Sequence, residues 1–478
     1  MRSFLLGLVV LFLPLSVLAA SPNILIIFSD DHGAEDIGAY GNPVVQTPNI
    51  DKLANQGMLF NAALTPEAIC TPSRSSLYTG LYPMRHGAHR NHTQVNEGVK
   101  SLPHYFEPLG YRVMLAAKTH IGPKSVFPFE YLPASGNSIS DSESKIAGYF
   151  DEINTAFNDD SKPFLLVAAT SLPHTQFGMN GGYPESKLYR PEEINLPPYL
   201  VDTPETREKR AGYYELVSWL DKDIGTMMQM LDRSKAADNT LVIYASDHGA
   251  GFAFEKWTNY DAGIRVPLIV RWPGKVKPNA RTDALVSLVD VLPTLMEAAG
   301  ADAPSSLDGR SFLAVLENKS NEHNHHIFAT HTTLGIRNAG DAFAVRAVRT
   351  ASYKYIRNLN PAGTFQNNVT EKGQGGWFSW VEKAASDTFA AQQVKRYQHR
   401  PAEELYDVQA DPYEMNNLAT LPAYKKVIAE MRPLLDNWMQ QQNDLGLQAP
   451  VTPSNVGLST IFDTFILTIK NKWNALFD

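Results

Sequence analysis

The chain reads as an α/β protein built on a large mixed, mostly parallel sheet, followed by a smaller α+β part with an antiparallel sheet. Three observations predict this. Four apolar runs, 23–28, 112–117, 163–170 and 240–246, lack the alternation of a half-wet strand, as strands buried on both faces do. Before the last of them, Tyr213, Leu216, Leu220, Ile224, Met227 and Leu231 recur at three and four residues, so 207–231 is an amphipathic helix. Beyond about residue 325 the apolar pieces shorten, and 343–349 with 353–356 read as an antiparallel hairpin.

Taken in order, residues 1–20 read as a signal peptide: Arg2 is the positive start, 4–13 the apolar run, and Val17-Leu18-Ala19-Ala20 the cleavage region. The run is too short to span a bilayer comfortably. The expectation is therefore cleavage after Ala19 or Ala20, export to a bacterial periplasm or the outside medium, and no membrane span afterwards. Cys70 is the only cysteine, so no internal disulfide can form, which suits that compartment better than an animal secretory route. Sequons at Asn91, Asn318 and Asn368 would matter only in a eukaryote. The expected division is 21–325 for the main part, 326–449 for the smaller part and 450–478 for a tail.

The run 23–28 ends at Ser29-Asp30-Asp31-His32-Gly33, placing two carboxylates where open α/β sheets carry their sites; helix capping is the plain alternative. Residues 47–54 look like a capped helix start, and 57–60 lead back toward the sheet. Ile69-Cys70-Thr71-Pro72-Ser73-Arg74-Ser75-Ser76-Leu77-Tyr78-Thr79-Gly80 then opens a helix at about 72–75, whose N-terminus would aim N–H groups at an anion near Cys70. The run 112–117 delivers Lys118-Thr119-His120, and alternation puts Lys118 and His120 on one face. Ser171-Leu172-Pro173-His174 follows the third run. The fourth ends in Asp247-His248-Gly249, and two acidic strand ends can close one oxygen-rich cation site. Lys256 comes next, then a core helix over 287–299 and another helix over 424–442. The tail carries Leu458, Ile461, Phe462, Phe465 and Ile466 at helical spacing. Hydrophobic residues make up 44 % and charged residues 19 %, enough for a substantial core. A net charge of −8 without a long basic run argues against nucleic acid as a partner, so an anionic substrate would need a locally basic pocket.

Cys-x-Pro-Ser-Arg followed by Leu and Thr-Gly is the signature by which this chain resembles the formylglycine-dependent (type I, arylsulfatase-like) sulfatases. Tyr78 stands where that family usually has an aliphatic residue. The family's second signature also finishes with Lys and His two apart, here with Val113 and Ala117 in place of its usual Ser/Thr and final Gly. Pro173-His174, Asp247-His248 and Lys256 match family positions. So does 259–267, where Asp261 and Ala262 are departures from Glu and Gly. The pieces 404–407, 411–412 and 417–419 resemble the family's C-terminal subdomain. Residues 118–123 with 126–129, and 345–349 through 358–360, look especially like the sulfamidase (N-sulfoglucosamine sulfohydrolase) branch.

The resemblance implies an alkaline-phosphatase-like sandwich. It implies that a formylglycine-generating or anaerobic sulfatase-maturating enzyme oxidises Cys70 to 3-oxoalanine (Cα-formylglycine), which hydrates to a geminal diol. It also implies one divalent cation, Ca²⁺, held by Asp30, Asp31, Asp247, His248 and the residue made from Cys70. In such a site one diol hydroxyl attacks sulfur and the alcohol or amine leaves; the second hydroxyl then loses its proton and expels sulfate as the aldehyde re-forms. Arg74, Lys118 and Lys256 would hold the sulfate, Lys118 and His174 would protonate the leaving group, and His120 would assist ionisation and collapse of the diol. The substrate implied is a sulfate ester or sulfamate of a sulfated oligosaccharide or polysaccharide, with His89, His92, His331 and Arg337 as candidate glycan contacts. Two alternatives stand beside this: a phosphoester or phosphonate hydrolase of the same superfamily, and a glycan-binding relative lacking part of the site, although here every expected group is present.

Overall fold

The computed structural model describes residues 21–133, 143–174, 188–336, 339 and 342–448. The expected signal peptide, the 450–478 tail and Arg337 lie outside the described residues. The four long apolar runs become strands β1 (Asn23–Ser29), β4 (Arg112–Ala117), β6 (Phe164–Ala169) and β7 (Thr240–Ser246). Shorter strands complete one mixed sheet: β2 (Met58–Phe60), β5 (Glu130–Tyr131), β8 (Leu268–Arg271) and β9 (Ala280–Thr282). The order is β5-β4-β6-β1-β7-β8-β2-β9, parallel from β5 through β7, with β8 antiparallel to both of its neighbours. A two-stranded pair, β3 (Ala63–Leu64) with β10 (Val286–Ser287), lies apart.

The apolar runs are continuous because both faces of the sheet are covered. Ile24, Ile26 and Phe28 pack on one side with Leu77 and Tyr78 of the helix Cys70–Thr79 and with Leu292 and Leu295 of Val291–Ala298. Leu25 and Ile27 face the other side, against Leu216, Leu220, Ile224, Met227 and Leu231 of the helix Pro204–Arg233. Each such buried side chain contributes roughly 1.5–3 kcal/mol. The helix begins one turn earlier than its apolar stripe because Pro204 occupies its first turn and the Thr203 hydroxyl accepts from the Thr206 N–H. Tyr78 fits its aliphatic-type position by packing edge-on against Phe28, Phe127 and Phe129.

Strands β11 (His326–Thr332), β12 (Ala344–Thr350), β13 (Tyr353–Asn358) and β14 (Glu403–Asp407) form a separate antiparallel sheet in sequence order. One face takes Ile428, Met431, Leu435 and Trp438 of the helix Lys425–Gln441. The other packs toward Phe254, Tyr260 and Ile264 of the main body. Lys354, fully buried, ties the two parts with 2.6 Å to Asp261 and 2.7 Å to Glu414, which gives the departure Asp261 a structural use. No helix among the described residues is long and apolar enough to cross a membrane.

Candidate active site

Parallel strands end on the same edge of a sheet, and four adjacent ones here carry the polar motifs. β4 delivers Lys118 to His120, β6 delivers Ser171 to His174, β1 delivers Asp30 and Asp31, and β7 delivers Asp247 and His248. Ser29 and Ser246 are partners in the β1–β7 ladder, so the two acidic ends lie side by side and the Asp31 N–H donates to Asp247 Oδ1 at 3.0 Å. The helix Cys70–Thr79 points its N-terminus at this edge. It starts two residues earlier than the sequence suggests, so Cys70 is itself the first helical residue, after an extended Ile69. The Ser73 hydroxyl fastens the helix by donating to the Asp247 carbonyl at 2.7 Å.

Cys70 is buried, with Sγ 3.4 Å from His248 Nε2, 3.5 Å from Asp30 Oδ1 and 3.8 Å from Lys256 Nζ. Lys256 Nζ lies 2.7 and 2.9 Å from the two Asp31 oxygens, and Lys118 Nζ contacts Asp30. Arg74 is wholly buried, its Nη2 2.9 Å from Asp247 Oδ2, 3.6 Å from Asp30 Oδ1 and 3.2 Å from the Ser29 carbonyl. Three carboxylates and three bases thus interleave around one sulfur.

Their protonation is split by position. Burial opposes the charge of Asp30, yet Lys118, His174 and Arg74 hold its carboxyl well below the usual range. Burial together with the Asp30 charge pushes Asp247 up to about 7. Burial also disfavours a charged His248, but Asp247 and Asp31 lift it to about 9. Burial opposes ionisation of Cys70 as well, and Lys118, Lys256 and His248 outweigh it, holding the thiol well below its ordinary value.

The donor set suits a cation. Ligand atoms of Asp30, Cys70, Asp247 and His248 all lie within 4.8 Å of one another, and those of Asp30, Asp31, Cys70 and His174 form an overlapping group. His248 Nδ1 donates to the Gly249 carbonyl at 2.9 Å, which turns its Nε2 toward the carboxylates. Gly249 is required beside it: a Cβ there would stand 2.0 Å from the Ala262 carbonyl oxygen.

Lys118 and His120 both reach the cluster, but not by strand alternation. Ala117 and His120 have φ of 68° and 46°, so the chain turns through left-handed backbone instead of staying extended. This also explains why a glycine is usual at the position of Ala117. His174 lies exposed at the mouth. Of the residues considered as glycan contacts, His92 is exposed and His89 half-buried. His331 is fully buried, 3.8 Å from Glu67, so it cannot meet a glycan.

Beneath the site lies a network that the motifs do not announce. Arg210 is wholly buried, 2.5 Å from Asp36 and 3.0 and 3.1 Å from the Glu255 oxygens, with its guanidinium over Phe252 and Tyr213. The Tyr213 hydroxyl donates to the Asp31 carbonyl at 3.1 Å and to Asp36 at 3.2 Å. Arg210 thereby clamps the loop that carries Asp31 to the loop that carries Lys256. Its position three residues before Tyr213, on the apolar stripe of the long helix, is the sequence signal that could have revealed it.

Against known families, the sulfatase profile matches residues 22–301, and the profile for the C-terminal part of N-sulphoglucosamine sulphohydrolase matches 247–367. The chain belongs to the sulfatase family. An ulvan-active sulfatase of Formosa agariphila is 35% identical over 435 residues, 90% of this chain and 82% of that one. Human N-sulphoglucosamine sulphohydrolase is 29% identical over 498 residues, 92% and 94% of the two chains. The fold is also similar to that of the phosphonate monoester hydrolase of Agrobacterium radiobacter, with a TM-score of 0.67 at 20% identity over 91% of this chain and 99% of that one.

Proposed function

We propose that this chain hydrolyses sulfate esters or sulfamates of a sulfated glycan, with Cys70 converted to formylglycine and a divalent cation bound beside it. The observation that supports this most is the setting of Cys70 at a helix N-terminus, its sulfur within 3.8 Å of an acid, an imidazole and a lysine. Asp30, Asp31, Asp247, His248 and the residue made from Cys70 would hold the cation. Their carboxylates favour Ca²⁺, while the His248 nitrogen makes Mg²⁺ and Mn²⁺ necessary comparisons. When bound, the cation polarises a sulfate oxygen, and the hydrated aldehyde supplies the attacking hydroxyl.

The remaining chemistry belongs to the side chains. Asp30, Asp31 and Asp247 balance Arg74, Lys118 and Lys256, so a divalent cation leaves the site net positive and complementary to a sulfate group. Lys118 and Lys256 take the sulfate oxygens. Arg74, paired with Asp30 and Asp247 as the lysines are with their own aspartates, joins them in holding the sulfate. His174, exposed at the mouth, gives a proton to the departing oxygen or nitrogen, with Lys118 as a second donor, and His120 serves the diol. The glycan class is inferred from the two relatives, whose names refer to ulvan and to N-sulphoglucosamine. Export by residues 1–20, a division into 21–325 and 326–449, and maturation by a formylglycine-generating or anaerobic sulfatase-maturating enzyme complete this reading.

The test is the mass of the tryptic peptide containing Cys70 after co-expression with a maturation enzyme. A loss of about 18 Da marks the aldehyde. Sulfate release from ulvan and heparan oligosaccharides should accompany it and vanish in C70A; an unmodified, inactive protein would sink the proposal. Because the fold also serves a phosphonate hydrolase, phosphonate and phosphate esters belong in the same assay, and preference for them would move the reading to phosphorus.

A further inference from the structure

The loop Asn91-His92 is stapled to the first turn of the helix that carries Cys70. The Thr71 N–H donates to Asn91 Oδ1 at 3.3 Å, and the His92 N–H donates to the Thr71 hydroxyl at 3.2 Å. Asn91 Nδ2 lies 3.0 Å from His92 Nε2, and His92 Nδ1 lies 2.8 Å from His120 Nε2. The two imidazoles sit with centroids 4.7 Å apart, and the Cys70 side chain is near enough to His120 to oppose the lowering of its pKa by burial. Both histidines are left-handed, with φ of 59° and 46°, a conformation that costs a non-glycine residue roughly 1–2 kcal/mol.

Hydrogen-bond polarity fixes the direction of this chain. A backbone N–H can only donate, so the amide of Asn91 must offer its oxygen to Thr71 and its NH₂ to His92. His92 Nε2 then accepts, which leaves the proton on Nδ1 to be donated to His120 Nε2. In neutral His120 the proton is consequently on Nδ1.

We propose that His92 is a positioning residue that fixes the ring orientation and the Nδ1–H tautomer of His120, through a relay that starts at the Thr71 backbone. This deepens the proposed function, resting on His120 as the group that serves residue 70. It moves His92 from glycan contact to support of the catalytic group. The relay also couples the pieces mechanically: the same helical turn that presents Cys70 sets the ring that acts on it.

Two measurements test this. The first needs no activity: ring ¹⁵N spectra of the histidine-labelled wild-type protein, with the His120 signals identified by their loss in H120Q. An Nδ1–H tautomer is expected, and an Nε2–H tautomer overturns the proposal even if the enzyme is an active sulfatase. The second uses 4-nitrophenyl sulfate as substrate and corrects each variant for formylglycine content by mass spectrometry. H92A should lower kcat by about 10–100-fold with little change in KM, as loss of a supporting hydrogen bond does at comparable sites. H92N keeps an N–H donor at the δ position and tolerates left-handed backbone, so it should restore kcat to within a few-fold of wild type. A rise in KM at constant kcat, or equal defects in H92A and H92N, would refute the relay. Failure of the wild type to turn over any sulfate would refute the function instead.

Discussion

Replacing Arg210 by Met gives the sharpest test of how the site is held together. The guanidinium is 0 % exposed and meets two carboxylates, Asp36 at 2.5 Å and Glu255 at 3.0 Å, whose other polar contacts are tyrosine hydroxyls. Methionine fills similar volume but leaves both acids buried without a counter-charge, and removing one partner of a buried pair costs about 3–5 kcal/mol. The acids can limit the loss by taking up protons. Burial already raises Asp36 to about 6 and Glu255 well above its ordinary value, and without Arg210 both rise further. A carboxyl whose folded pKa exceeds its unfolded one favours the fold at low pH and loses that advantage as pH rises. The deficit of R210M against wild type should therefore grow between pH 5 and pH 8. Urea unfolding followed by tryptophan fluorescence measures it. The triple variant R210M/D36N/E255Q should recover most of the loss, because the acids no longer ionise. A deficit below about 1 kcal/mol at pH 8, or no recovery in the triple variant, would refute this account of the network.

Three further outcomes are expected. His86 is buried, accepts from the Ala88 N–H and pairs its other nitrogen with Ser76 at 3.1 Å, and burial lowers its pKa to about 3. Below the ordinary value of 6.5 the unfolded chain binds a proton that the folded one refuses, so wild type should lose about 2 kcal/mol more than H86Q between pH 7 and pH 5; parallel stability curves would contradict this. G249A should cost roughly 1–3 kcal/mol because its Cβ meets the Ala262 carbonyl at 2.0 Å, whereas G148A, with open space around it, should gain about 0.5–1 kcal/mol in thermal unfolding. Added Ca²⁺ should raise the melting temperature of wild type, by the equivalent of about 2.7 kcal/mol at a hundredfold excess over Kd, and should do so much less for D247N; a larger effect of Mn²⁺ or Mg²⁺ would reassign the ion.

The central strands are legible in the sequence because burial on both faces leaves uninterrupted apolar runs. Glu130–Tyr131 and Ala280–Thr282 are too short to leave such a trace, and their places come from pairing with distant partners. Each polar motif is visible in its own segment. What no segment contains is their meeting: Asp31 and Asp247 touch across 216 residues only because β1 and β7 pair in register. Arg210 is visible in the sequence as a charge on an apolar stripe, but its pairing with Asp36 and Glu255 arises only once three remote segments face each other. Lys118 and His120 are legible from the resemblance to the family's second signature and from an expectation of extended backbone. The left-handed turns at Ala117 and His120 instead reflect local geometry that residue type alone does not specify.

The pairing of Ser29 with Ser246 makes the lengths of two strands act as a ruler. Side chains along β1 and β7 can be exchanged for others of similar size while the acids beyond them stay in place. Deleting a single residue inside either strand would slide one half of the carboxylate cluster past the other by about 3.3 Å and reverse which face its side chains cover. Changes of length are accommodated instead in the loops beyond the cluster, where the count of residues is not bound to the ladder.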